Sequence, residues 1–254
     1  MSHHAQVEEQ YRTTDNLRAR ITLHERFSTS PHSYPRWVFE GYEFGEHAEV
    51  LEVGCGDGMI WRENRERIPE GWRLTLTDLS PAMVDETRTV LGDRARYGVA
   101  DVEALPLEGE SFDAVIANHM LFHVEDRARA LGEFARVLRP GGAFRATTVG
   151  RDHLRELREL APPREGIWLN TRDRFTVESA SEELEPFFVD IELQPYPDSL
   201  EVTELEPLLE FVRSRGDVTE AQLAEVERVA KAAIAERGSF HVTKQTARVR
   251  ARKP

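Results

Sequence analysis

The chain has 254 residues, 40% of them hydrophobic, enough for a core of ordinary size and against global disorder. With 46 acidic residues against 33 Lys and Arg, the net charge is −13, which speaks against a phosphate-backbone binder. One Cys leaves no disulfide framework or cysteine-rich zinc site, no His/Asp/Glu cluster has metal-ligand spacing, and no stretch suits a signal peptide or membrane span.

Residues 7–27 are polar, with Leu17, Ile21 and Leu23 as apolar positions and Asp15 or Asn16 placed to start a helical turn. A loop with Pro31 and Pro35 and an aromatic segment from Trp37 to Phe44 follow. The pattern then changes. Short strand-like runs at Val50–Val53, Arg73–Asp78, Tyr97–Ala100, Phe112–Ala117 and Ala143–Val149 alternate with helical stretches at Met59–Ile68, Pro81–Leu91 and Asp126–Leu138. Ser80 before Pro81 reads as a helix N-cap with proline at the first position. Such alternation predicts an α/β domain whose parallel sheet is covered on both faces.

Beyond Gly150 the rhythm loosens. Short helices are expected at His153–Ala161 and Ser179–Phe188, strands near Val189–Gln194 and Ser199–Thr203, and helices at 205–215 and 219–237. Ser239–Arg252 alternates as a strand with one wet face does. From Phe175 to Val212 there are 11 acids and no Lys, Arg or His. This run reads as a solvated face or as a field favouring cationic or neutral ligands.

Val50 to Gly58 is a strand running into a glycine loop ahead of a helix, and such a loop suits a nucleotide-like ligand at the carboxyl edge of a sheet. The glycines fall at 54, 56 and 58; the dinucleotide fingerprint needs its third at 59, which is Met59, and Asp57 would repel a pyrophosphate. Asp78 lies 20 residues beyond Gly58 at the next strand end, where an acid can accept both ribose hydroxyls. Asp101 closes the third strand, where a carboxylate can receive an adenine amino group; Asn118 and His119 close the fourth. These acids suit the neutral parts of adenosine.

The stretch from about 48 to 150 resembles the class I S-adenosylmethionine (SAM)-dependent methyltransferases, and within them the small-molecule methyltransferase type 11 group. The resemblance rests on VLEVGCGDG, LTLTDLS, ADVEALP, FDAVIANHMLFHV and FARVLRPGG, in that order. It implies a Rossmann-like, seven-stranded, mostly parallel sheet of order 3-2-1-4-5-7-6 with strand 7 antiparallel and helices on both faces. One methyltransferase domain, 1–254, would then comprise an N-terminal helical cap (1–45), a SAM-binding core (46–150) and a C-terminal half (151–254). That half would hold a helical insertion (205–237) and the final strand (239–252). Carried over by position, Glu52, Gly54, Gly56 and Gly58 support the methionine moiety. Asp78 takes the ribose, Leu79 and Met83 flank the adenine, and Asp101 with Val102 reads its edge. Asn118 meets the methionine amino group through its backbone carbonyl.

In-line methyl transfer needs little covalent help from protein, but a hydroxyl acceptor gains from a general base. His119 and His123, just after strand 4, are the candidates, with bracing of the loop as the other reading. Arg20 and His24 share a helix face; Arg20 is a candidate for the methionine carboxylate, and Tyr11, His24 and Trp168 for the acceptor pocket. Cys55 reads as a small packed residue. The expected activity is SAM-dependent methyl transfer to an O, N or C atom of a small molecule such as a specialised metabolite. The alternatives are non-catalytic SAM or partner binding, and methylation of a macromolecule. An NAD-dependent dehydrogenase is disfavoured by Met59. S-adenosylhomocysteine would be the product. The expected setting is a cytoplasmic monomer or homodimer without a metal, nucleic-acid or membrane partner.

Overall fold

The computed structural model describes residues 15–164 and 174–254. The described residues form nine strands: β1 (Ala48–Val53), β2 (Trp72–Asp78), β3 (Ala95–Val99), β4 (Phe112–Asn118), β5 (Leu138–Val149), β6 (Val189–Pro195), β7 (Ser199–Val202), β8 (Phe240–Thr243) and β9 (Thr246–Arg252). Seven make one sheet in the order β3-β2-β1-β4-β5-β9-β6. β1 to β5 pair in parallel, and β9 runs antiparallel to both β5 and β6. This is the mostly parallel sheet that the motif order implies.

The described chain divides into two compact units. One comprises 34–149, 174–196 and 246–254, the other 15–33, 150–164 and 197–245. In the sheet unit, strand alternation sends successive side chains to opposite faces. Leu51, Val53, Val115 and Ala117 join one core with Leu131, Phe134, Phe144 and Phe188. Val50, Leu74, Leu76 and Ile116 join another with Trp37, Phe39, Trp61 and Trp72. The helix Arg127–Val137 starts where the Asp126 carboxylate accepts from the Arg129 amide at 3.0 Å. At Pro81–Leu91, Ser80 holds the N-cap position but makes no side-chain cap bond. Its amide instead donates to Asp78 at 2.9 Å. The helix expected over Met59–Ile68 is Met59–Glu63 followed by a 3-10 turn, Arg65–Arg67. Asn64, 1% exposed, turns inward between them and donates to the Pro35 and Ile60 carbonyls.

The second unit packs Leu23 and Phe27 of the helix Asp15–Phe27 with Leu157, Leu208, Phe211, Val226 and the β7–β8 pair. Its helices Leu205–Arg213 and Glu220–Arg237 fill the expected insertion; the second starts in a capping box in which Thr219 and Gln222 satisfy each other's amides. The final strand expected over 239–252 is two strands. β8 pairs with β7 in a separate two-stranded sheet, and only Thr246–Arg252 enters the main sheet. The break falls at Lys244 and Gln245: Lys244 pairs with buried Asp198, and Gln245 Oε1 accepts from the Asp152 amide at 2.8 Å.

The acidic run is not an open field. Glu183 and Asp190 pair with Arg127 and Arg252 in the sheet unit; Asp198, Glu201, Glu204 and Glu206 pair with Lys244, His241, Arg26 and Arg213 in the other. Arg127, Arg252, Lys244 and Arg26, distant in sequence, supply the counter-charge for four of these acids. Among the described residues no helix is long and apolar enough to cross a membrane, and no group of three or more His, Cys, Asp or Glu could hold a metal ion.

Candidate functional site

Parallel strands place their carboxyl ends, and the loops that follow, along one edge, and β1, β2, β3 and β4 all contribute to it here. The loop after β1 turns sharply because Gly54, Gly56 and Gly58 have φ of +67°, +56° and +72°. At Gly54 a β-carbon would lie 2.8 Å from Met120 Cβ, so the close approach of the β4 loop excludes any larger residue. At Gly56 a β-carbon would meet nothing within 4 Å, so the loop backbone faces open space there.

Asp78, at the end of β2, ties the edge together. Its two oxygens accept from the Gly56 and Ser80 amides, each at 2.9 Å, and its own carbonyl accepts from the Ala100 amide at 3.0 Å. Burial pushes its carboxyl up, against the lowering effect of backbone N–H bonds from Ser80, Gly56 and Leu79. Asp101 is exposed and accepts from the Glu103 amide at 2.9 Å; Leu79 and Val102 are half-buried. Met83 is only 2% exposed, a packed side chain of its helix.

Glu52, which the motif assigns to the methionine moiety, is 2% exposed. Trp61 Nε1 donates to its Oε2 at 2.5 Å and Asn118 Nδ2 to its Oε1 at 3.1 Å. Asn118 Nδ2 also lies 2.5 Å from Tyr42 Oη. Burial pushes the Glu52 carboxyl up to about 8, opposed by the bonds from Trp61 and Asn118 and reinforced by the charges of Asp78 and Asp57. Burial and the neighbouring carboxyls of Glu52 and Asp78 push the Cys55 thiol up, which suits a packed residue and not a nucleophile. Tyr42 and Trp61 escape a sequence reading, since each resembles the other core aromatics around it. Only their polar atoms, hydrogen-bonded to Asn118 and Glu52, set them apart.

His119 follows β4 at φ +49°, its amide donating to the carbonyl and hydroxyl of Thr147 and its ring 5.4 Å from that of Tyr34. His123 ends a 3-10 turn, Leu121–His123, edge-on to Phe122 at 4.5 Å. Arg20 and His24 belong to the other unit. There the Arg20 guanidinium donates to the hydroxyl and carbonyl of Ser214, and His24 stacks on His153 at 6.0 Å. Tyr11 and Trp168 lie outside the described residues.

A glycine loop after β1, acids closing β2 and β3 and the sheet order together make an α/β domain with the fold of the class I methyltransferases. Residues 51–146 match the family model described as Methyltransferase domain. The chain is 39% identical over 115 residues to a malonyl-[acyl-carrier protein] O-methyltransferase of Enterobacter lignolyticus, covering 44% of this chain and 43% of that protein. It thus spans about half the length, or less, of the curated relatives it matches. Among solved structures, a Haemonchus contortus phosphoethanolamine N-methyltransferase 2 in complex with SAM shares the fold at a TM-score of 0.62. It has 20% identity and covers 100% of this chain and 60% of that one. A [4+2]-cyclase also shares it, with TM-score 0.61, 19% identity and coverage of 99% and 97%.

Proposed function

We propose that this chain binds SAM at the carboxyl edge of β1 to β4 and transfers its methyl group to an O, N or C atom of a small molecule. The carrying observation is the chemistry of the edge. Asp57, Asp78 and Glu52 crowd the open glycine loop, which disfavours a pyrophosphate and suits an adenosine linked to a cationic amino acid. In this reading Asp78 keeps lone pairs for the ribose hydroxyls, and Leu79, Met83, Asp101 and Val102 surround the adenine. Gly54, Gly56, Gly58, Glu52 and the Asn118 carbonyl take the methionine portion. Arg20, bonded to Ser214, is left out of carboxylate binding.

SAM supplies an electrophilic methyl carbon, which bonds to the acceptor as the carbon–sulfur pair returns to sulfur. The protein's part is to hold the acceptor in line, to exclude water and to take a proton where the acceptor is a hydroxyl. In this reading His119 or His123 takes that proton. The relatives named malonyl-[acyl-carrier protein] O-methyltransferases favour an oxygen acceptor. A second reading, SAM binding without methyl transfer, is favoured by the fold shared with a [4+2]-cyclase.

Calorimetry tests the cofactor reading. SAM and S-adenosylhomocysteine are expected to bind and NAD not to, and Asp78→Ala is expected to weaken SAM binding by ~1.5–3 kcal/mol, as for a hydrogen bond to a charged group. Unchanged affinity in a folded Asp78→Ala protein defeats the ribose assignment. Methyl-transfer assays over carboxylate, hydroxyl and amine acceptors separate the two readings; SAM binding with no turnover supports the second.

A further inference from the structure

The Glu52 carboxyl is surrounded without a counter-ion. Facing it are Cys55 and Asp57 from the loop after β1, Asp78 from β2 and Tyr42 from the segment ahead of β1. Asn118 comes from β4 and Trp61 from the helix Met59–Glu63. Every titratable group in that ring is acidic, and the two hydrogen-bond donors, Trp61 and Asn118, are neutral. Asp57 pairs with Arg62 at 3.0 Å, but among the described residues no basic side chain pairs with Glu52 or Asp78. An isolated charge this deeply buried is costly, so the carboxyl is held in its neutral form until a cation reaches it.

The Asn118 amide can serve either form of the carboxyl. As placed, Nδ2 faces both Glu52 and Tyr42, and Oδ1 is buried with no hydrogen-bond partner. Turned over, the amide accepts through Oδ1 from a protonated Glu52 and from the Tyr42 hydroxyl together. The turned amide thus fits a protonated Glu52, and the original one a charged Glu52.

If the site takes SAM, as read above, its ligand carries a sulfonium and an ammonium against one carboxylate, whereas the product has lost the sulfonium charge. We propose that Glu52 holds a proton in the free protein and releases it to solvent when the cationic cofactor binds, so that its protonation state makes the site prefer SAM over S-adenosylhomocysteine. When the sulfonium charge is lost in turnover, Glu52 regains a proton and the hold on the product weakens.

Calorimetry of the intact protein at pH 7, in two buffers of different ionisation enthalpy, counts the protons released. SAM is expected to release a larger fraction of a proton than S-adenosylhomocysteine. The SAM-to-product affinity ratio is expected to rise several-fold from pH 6 to 8, bounded by about tenfold per pH unit for one linked proton. Glu52→Gln is expected to abolish the excess release and flatten the ratio. Should that variant not fold, Trp61→Phe, which removes one donor to the charged form, is expected to move the wild-type pH transition upward. Equal proton counts for the two ligands, or a flat ratio in the wild type, overturn the inference. Binding of neither ligand overturns the SAM reading and this inference with it.

Discussion

His119 adopts φ +49°, a left-handed conformation that costs a side-chain-bearing residue free energy, at the edge where an acceptor is proposed to sit. With a hydroxyl acceptor, replacing whichever of His119 and His123 takes the proton by Gln is expected to lower kcat by ~10²–10⁴ with little change in SAM affinity. With an already neutral amine, both variants are expected to stay within about tenfold of wild type. His119→Gly separates chemistry from conformation, since it keeps the backbone turn and deletes the imidazole. Glu52 yields a stability prediction at the same scale. Its folded-state pKa is raised from 4.5 to about 8, so the native state binds more protons than the unfolded state between those values. The Glu52 contribution to stability therefore falls as pH rises through that window, by at most ~1.4 kcal/mol per pH unit. Urea unfolding of wild type against Glu52→Gln across pH 5 to 8 is expected to show the wild type losing ground at the alkaline end. The glycine loop and Asp78 were legible because their spacing is imposed by chain geometry. Tyr42 and Trp61 were not, because an aromatic residue's periodicity reports packing and is silent about where its one polar atom goes.

Among the elements, the alternating strands and the helix Arg127–Val137 were legible through their periods. Phe134 of that helix is fully buried, stacking on Phe144, which stacks on Phe188 at 4.7 Å. Phe134→Ala is expected to destabilise the protein by ~3–5 kcal/mol in denaturant unfolding. The break between β8 and β9 was not legible, because alternation runs on through Val242 and Thr243 and only the tertiary partners of Lys244 and Gln245 end it. The Asp198 side chain is 0% and that of Lys244 7% exposed. Burial raises the Asp198 pKa, but Lys244, the Ser28 hydroxyl and the Ser30 amide outweigh it and hold the carboxyl below its usual range. Its stabilising contribution is thus present above the unfolded carboxylate pKa and is lost as pH falls through the lower folded value. Lys244→Met, which leaves that charge buried without a counter-ion, is expected to cost ~3–5 kcal/mol at neutral pH. Adding Asp198→Asn is expected to recover part of the loss, and thermal unfolding of the three variants checks both statements.

At the scale of the whole molecule, the formal charge of −13 was legible and its arrangement was not, since the acids of 175–212 find their bases in helices and strands far along the chain. The sheet has an analogous property. β9 is the last strand in sequence, yet it lies between β5 and β6, bonded to both. Deleting residues 246–254 is therefore expected to remove β9 from between β5 and β6 and not a dispensable tail. Loss of cooperative unfolding and of soluble yield would show it; a folded, monodisperse product would count against that view.

The position of β9 also gives the chain a history. A ribosome delivers β5 long before β9, and during that interval the edge of β5 offers unsatisfied amides and carbonyls to any passing strand. β6 waits with no neighbour from its own sheet. The final strand pairs through contacts that close a loop of about a hundred residues to β5, a step slow by nature. The nascent protein is thus most open to mispairing in the interval before β9 emerges, and the alternating arginines of β9, Arg248, Arg250 and Arg252, arrive as the segment that ends that exposure.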